Sequence, residues 1–411
     1  MNCQQFLDKM QSIQNYLLDF IDINGNVEEN FQNLVLLFEK QKIKDNPSEL
    51  KLLFYLITSI SKNHYHGPNF FSKIEQILFF FKEELAKYFS NSEVFNIFKS
   101  NKRILLFLIE KSILKIDEYV FKVITSQKYV ENKYPHYFMP EIKPFLNEQF
   151  ISKQKNESIF DQNDFSFEKY DIDPNEKNWI DEIQGELPEN FYEKRQKGEN
   201  DNYICELIRN DLVKEFIVYV NKNNIPLDSA IKSSIYETNS FFIKQQKNKR
   251  FLDWGCKRKM ASLIEYAAFF GSMQIIRYLQ MNNVKLTSAL WDYSIYSNNP
   301  ELIHFLEDNH IIPYKNSYKL ILNKSIKCHH NEISKYLYDN LLNDEDKKEF
   351  NDSLLPFKYY NFHFIQNEKI DESSLYLLIK HDYLPFVQSI YHNKKIEINK
   401  KVTILNYNIL I

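Results

Sequence analysis

The run KCHHNE, Lys327 to Glu332, places Cys328, His329, His330 and Glu332 side by side. These are the side chains that ligate zinc and related metals. Adjacent ligands rarely converge on one ion, however, and no partner cluster at helical spacing lies near in sequence. The run therefore reads as an exposed turn between two helices. NHYHGPN, Asn63 to Asn69, offers His64 and His66 before Gly67-Pro68 and reads as a polar loop closing a helix. Lys244 to Lys259, KQQKNKRFLDWGCKRK, holds seven basic residues and one acid. It is either a solvated loop or a phosphate-contacting or nuclear-import segment centred on Lys257, Arg258 and Lys259. Cys3, Cys205, Cys256 and Cys328 show no C-x-x-C spacing, so free thiols in a reducing compartment are expected. No Ser-His-Asp, Cys-His, paired-carboxylate or P-loop pattern is present. No catalytic, cofactor-binding or metal site is assigned, and a non-enzyme without cofactor is expected.

The elements that would position these residues show a weak repeat. SLIEYAAFFGSMQIIRYLQMNNV (Ser262–Val284) and ALWDYSIYSNNPELIHFLEDNHI (Ala289–Ile311) align with a shift of 27 residues. Leu263 then meets Leu290, Tyr266 meets Tyr293, Ala267 meets Ser294, Gly271 meets Asn298, Ile276 meets Ile303 and Leu279 meets Leu306. Small residues fall on small, apolar on apolar, and the turn position takes a residue that tolerates positive φ. The slot of Leu279 recurs at Leu306, Leu337, Ile365 and Ile390, in steps of 27, 31, 28 and 25, and upstream at Val220. A further unit is expected at Asp228–Ile243. The register places His329 on Gly271, and Trp291 on the buried position of Ile264. A step near 30 residues marks stacked helix pairs, each too small to bury its apolar face alone.

The pattern Ser262-Leu263-Ile264-Glu265-Tyr266-Ala267-Ala268-Phe269-Phe270-Gly271, followed by Ile275-Ile276 and Leu279, resembles the ankyrin repeat. It resembles more particularly an uncharacterised branch of ankyrin-like domains in unicellular eukaryotes, through ICELIRND, SLIEYAAFFGS and YSNNPELIHFLEDNHI. The chain departs from the family in lacking Thr-Pro at any repeat start. It also carries Glu265, Asp292 and Asn323 where the family has His, which alters the hydrogen bonding expected to pin each turn. The resemblance implies a fold and no activity.

Upstream of the repeats, residues 1–150 read as helical. Asn46-Pro47-Ser48-Glu49 starts a helix in the manner of a capping box, and Leu50, Phe54, Ile57 and Ile60 share one face. Ile74, Ile77, Leu78, Phe81, Leu85 and Phe89 share another, and NKRILLFLIEKSIL gives a third, shorter helix. Residues 151–201 form an acidic connector, with fourteen acidic and five basic residues from Glu157 to Asp201. Its Phe160, Phe165, Phe167, Trp179, Ile180, Phe191 and Tyr192 suggest that parts of it lie on a folded surface. Residues 202–400 carry the repeats, and 401–411 form a tail expected to pack on the last hairpin.

With 411 residues, 44% apolar and 16% aromatic, the chain can bury a large core, and six glycines are too few for a hairpin-rich β fold. A net charge of −3 is too balanced to imply nucleic acid or an anionic membrane as partner. The richest apolar stretch, Leu50–Ile60, is too short to span a bilayer. No signal peptide is visible, and an intracellular, cytoplasmic location is expected, with the nucleus as alternative. The expected fold is all-α: an ankyrin-type helical-hairpin solenoid behind an N-terminal helical region. The expected function is a protein–protein interaction scaffold that binds through its concave surface and through tips near Lys285–Thr287 and Ile312–Lys315. The alternative is a nuclear or nucleic-acid-associated factor using 244–259.

Overall fold

The computed structural model describes residues 3–22, 25–67, 69–130, 132–146, 185–239, 241–242, 260–351, 354–370, 374–393, 402–404 and 407–409. The fold is all-α. Val402–Ile404 and Tyr407–Ile409 pair as a short antiparallel hairpin, so part of the expected tail is strand. The acidic residues 157–184 and the basic run 244–259 lie outside the described residues.

Contacts divide the chain into two compact units, of which the first is built from both ends of the chain and the second is one continuous stretch. One comprises Met1–Ile60 with Tyr318–Ile411, the other Ser61–Ser317. These boundaries cut across the segments expected from composition, because N-terminal helices share a core with repeat helices in both units.

In the first unit, helix Cys3–Asp22 buries Phe6, Leu7, Met10, Ile13, Leu17 and Leu18, and packs on helix Val27–Lys40. The next helix starts as its sequence foretold. The Asn46 side chain accepts from the N–H groups of Ser48 and Glu49, and Leu50, Phe54, Ile57 and Ile60 are fully buried. Glu49 does not close a capping box here; its carboxylate takes Lys9 Nζ at 2.6 Å. A polar node joins this part to the C-terminal helices. Gln14 Nε2 donates to Asn361 Oδ1 at 2.8 Å, the Phe362 N–H donates to Gln14 Oε1, and Asn361 Nδ2 donates to the Ile326 carbonyl. Phe6 meets Phe386 edge-on with centroids 5.0 Å apart.

In the second unit, Ile74, Ile77, Leu78, Phe81, Leu85 and Phe89 are all buried, as the periodicity requires. Ile74, Ile77 and Leu78 lie on helix Phe70–Phe80 and Leu85 on helix Lys82–Tyr88, with Phe81 between the two helices and Phe89 just after the second. Asn101 caps helix Lys102–Glu110. Three helix pairs follow: Tyr203–Arg209 with Val213–Lys222, Leu263–Phe270 with Met273–Met281, and Leu290–Ser294 with Pro300–Asp308. First helices pack on first helices and second on second: 203–209 on 263–270, 263–270 on 290–294, and 213–222 on 273–281.

The 27-residue alignment holds position by position. Leu263 and Leu290, Tyr266 and Tyr293, Ala267 and Ser294, Ile276 and Ile303, and Leu279 and Leu306 are all buried. Gly271 and Asn298 are both left-handed, at φ 68° and 49°. Glu265 is buried and accepts the Ser262 N–H at 2.8 Å, closing a capping box at the helix start.

Two expected units take another form. Asp228–Asn239 contains no helix; Ala230 pairs with Ser262 in an antiparallel bridge, and the Ile231 N–H donates to the Ala261 carbonyl. Ile365 is buried but not helical, because the chain after helix Leu355–Tyr359 makes only the 3-10 turns Phe362–Phe364 and Asn367–Lys369. Leu337 and Ile390 occupy helices Asn331–Asn340 and Leu384–Asn393 as expected.

Candidate functional site

Each hairpin reverses at one left-handed residue. Asp211, Gly271, Asn298, His329, Tyr360 and Asp382 hold this position between first and second helices or turns, and Asn224, Asn283 and His310 hold it after second helices. At eight of these nine positions, all but Asn298, the following N–H reaches back five residues in a Schellman motif, as Ser272 N–H does to Ala267 and Val284 N–H does to Leu279.

The residue after the left-handed turn then joins neighbouring hairpins. Ser272 Oγ donates to the Ile208 carbonyl at 2.6 Å, Asn361 Nδ2 to Ile326 at 2.9 Å and Tyr383 Oη to Phe357 at 2.8 Å. In each case the acceptor lies three residues before the preceding hairpin's own left-handed residue. Asp211 adds a second join, its carboxylate accepting the Gln274 and Ile275 N–H groups at the start of helix 273–281.

Of the expected tip residues, Lys285, Ile312, Tyr314 and Lys315 are exposed, Leu286 and Thr287 are half-buried, and Pro313 is buried. Ile312 is 56% and Tyr314 63% accessible, beside exposed Lys285 and Lys315. Met281, at 83%, is the most exposed of the large apolar side chains in the described residues. Gln280 Nε2 donates to Asn309 Oδ1 at 2.7 Å and Arg277 pairs with Glu301 at 2.7 Å, tying the second helices of these two hairpins together. The apolar tips of adjacent hairpins thus share one end of the pair.

The first-helix face behaves differently. A solenoid's inner helices would line its concave surface, yet helix 263–270 is buried from Leu263 to Phe269. Phe241 and Phe242 cover it. Phe241 lies 5.6 Å from Phe269, 4.9 Å from Tyr293 and 4.5 Å from Tyr296. Phe242 lies 5.0 Å from Tyr266 and 4.6 Å from Phe269.

Beneath this aromatic cluster lies a buried polar one. Lys102 Nζ donates to the Ile235 carbonyl at 3.0 Å and sits 5.0 Å over the Tyr137 ring. Burial drives its pKa down to about 7, against the pull of Glu237. Burial also lifts Glu237 to about 7, opposed by the Asn239 N–H and by Arg209. Arg209 donates to Tyr266 Oη at 2.9 Å and pairs with Glu199 at 3.0 Å. A cavity of about 30 Å³ adjoins Glu237, Asn200, Ser234 and Tyr266. That is room for a water or two, not for an organic substrate. Burial raises the Cys205 and Cys328 thiols to about 12, so neither is a thiolate at neutral pH. Nothing local in the sequence marked Lys102 or Glu237, since their burial comes from segments far apart in the chain. The Phe-Phe doublet was visible but carried no sign of what it would cover.

The sequence candidates divide accordingly. Cys328, His329 and His330 do form a turn, with His329 at φ 60°, but all three are buried, which corrects the expected exposure. Among the described residues no cluster of His, Cys, Asp or Glu is arranged to hold a metal. His64 is buried; His66 stacks on Phe70 at 4.3 Å and bonds the Ser61 carbonyl, and burial lowers its pKa to about 4. Trp291 is core, its Nε1 donating to the Ile311 carbonyl at 2.6 Å. Cys3, Cys205 and Cys328 are in no disulfide; Cys256, Lys257, Arg258 and Lys259 lie outside the described residues. No helix among the described residues is long and apolar enough to cross a membrane. Comparison with protein-family models, curated proteins and solved structures finds no match.

Proposed function

We propose that the chain is a non-enzymatic protein-binding scaffold built on degenerate ankyrin-like hairpins. The observation that carries this reading is the exposed apolar end of two tied hairpins: Met281, Ile312 and Tyr314 stand in solvent on a rigid, hydrogen-bonded support. Exposed large apolar and aromatic side chains on a fixed frame mark contact sites for other proteins. The repetition of the left-handed turn and of first-on-first helix packing supports the ankyrin-like part of the reading. The buried polar cluster belongs to the support, because its cavity admits no organic ligand.

The test is affinity capture from the source cell with the full chain as bait, repeated with Met281→Asp/Ile312→Asp/Tyr314→Asp. Partners retained by the parent and lost by the variant, with an unchanged circular dichroism spectrum, are the expected result. The same partners on both baits would overturn the assignment of the tips.

A further inference from the structure

We propose that Phe241-Phe242 is an exchangeable plug on the first-helix face, and that this face accepts two adjacent aromatic side chains from a protein partner. The inference deepens the scaffold reading by naming a second surface and its ligand chemistry. Its test uses no cellular partner, so its failure is separable from failure of the capture experiment.

The face itself is aromatic: Tyr266, Phe269, Phe270, Tyr293 and Tyr296, carried on helices 263–270 and 290–294 and the turn Ile295–Ser297. In an open solenoid these first-helix positions would meet solvent or a partner. Here they meet two rings of the same chain. The route to those rings is pinned through Asn239. The Thr238 N–H and Oγ1 both donate to the Gly198 carbonyl, at 3.0 and 2.7 Å. Asn200 Nδ2 donates to the Lys232 carbonyl, and Glu237 accepts the Asn239 N–H.

Among the described residues, the Phe pair beyond this anchor is held by ring contacts and by one hydrogen bond, from the Phe241 N–H to Asn239 Oδ1 at 2.9 Å. Both rings are only half-buried, whereas Phe269, Tyr293 and Tyr296 beneath them are buried. Ring contacts of this kind are short-ranged and tolerant of the ligand's backbone direction. Any chain that presents two neighbouring aromatic rings offers the face the same contacts. The tethered pair competes at a high effective concentration, on the order of millimolar for a short tether. The face therefore reads as closed until the pair is displaced.

The test is fluorescence anisotropy with a labelled Thr-Asn-Ser-Phe-Phe peptide, the sequence of residues 238–242, added to the full chain. The peptide is expected to bind the Phe241→Ser/Phe242→Ser chain about tenfold or more tighter than the parent. A control peptide with both Phe replaced by Ser is expected not to bind. Equal affinity for the two chains, equal binding of the control peptide, or no binding to a variant that still unfolds cooperatively would each overturn the proposal. Should the variant lose its fold, hydrogen exchange on the parent chain decides. Amides of Phe241 and Phe242 exchanging about a hundredfold faster than those of Ala267–Phe270 would support an exchangeable plug, and equal protection would exclude it.

Discussion

Gly271 shows how much a single residue carries here. Its φ of 68° lies where a side chain is strained, and an added Cβ would stand 3.2 Å from Asn299 Nδ2 and 3.3 Å from Ser297 Cβ. Gly271→Ala should therefore destabilise the chain by about 1–2 kcal/mol, measured by urea denaturation. Asn298→Gly, at the equivalent position, should be close to neutral, because it relieves the same conformation. Lys102 and Glu237 make opposite pH predictions. Folding lowers the Lys102 pKa to about 7, so from there to its unfolded value near 10.4 the unfolded chain binds more protons. Stability from this group rises with pH across that window. Folding raises Glu237 to about 7, so from its unfolded value near 4.3 up to about 7 the native chain binds more protons and stability falls as pH rises. Urea midpoints measured across pH should show Lys102→Met losing the alkaline rise and Glu237→Gln losing the fall below neutrality. An unchanged pH profile in either variant would contradict the burial described for that group.

The hairpin is the element that repeats, and its joins follow a rule of position and not of residue type. Ser272, Asn361 and Tyr383 are chemically different, yet each stands one residue after a left-handed turn and donates to the equivalent carbonyl of the hairpin before. The backbone geometry of the Schellman turn aims that side chain, so any donor of suitable length serves. Ser272→Ala should cost about 1 kcal/mol, since the Ile208 carbonyl keeps its bond from the Asp211 N–H. Leu306→Ala should cost more, about 2–5 kcal/mol, because Leu306 is fully buried in the shared core. Chemical denaturation of both variants ranks the two contributions, and a Ser272→Ala cost equal to that of Leu306→Ala would contradict this division.

For the whole molecule, the interleaving of the two units governs what can fold alone. A fragment of residues 202–411 looks like a self-sufficient repeat domain in the sequence. It would leave the Ile235 carbonyl without Lys102 and Thr238 without Gly198 in one unit. In the other it would leave Asn361 without Gln14 and Phe386 without Phe6. The fragment is expected to lack a cooperative urea transition by circular dichroism, while the full chain shows one. A sigmoidal transition for the fragment would mean that the repeats hold their core without the N-terminal helices.

The sequence by itself determined many of the helices and the register of the hairpins at Val220, Leu279, Leu306 and Leu337. Leu279, Leu306 and Val220 fall on one buried stripe, and Gly271, Asn298 and His329 fall on turns, because apolar period and tolerance of positive φ are local properties of the chain. It also foretold the exposed tips at Ile312 and Tyr314 and the buried Trp291. Only the tertiary structure decided that His329 and His330 are covered, that Phe241-Phe242 fills the face a partner was expected to find open, and that Lys102 is buried against the Ile235 carbonyl. It likewise decided that the N-terminal helices are divided between the two cores. These outcomes depend on contacts between segments far apart in the chain, where burial is settled by what arrives from elsewhere and leaves no periodic mark on the residues concerned.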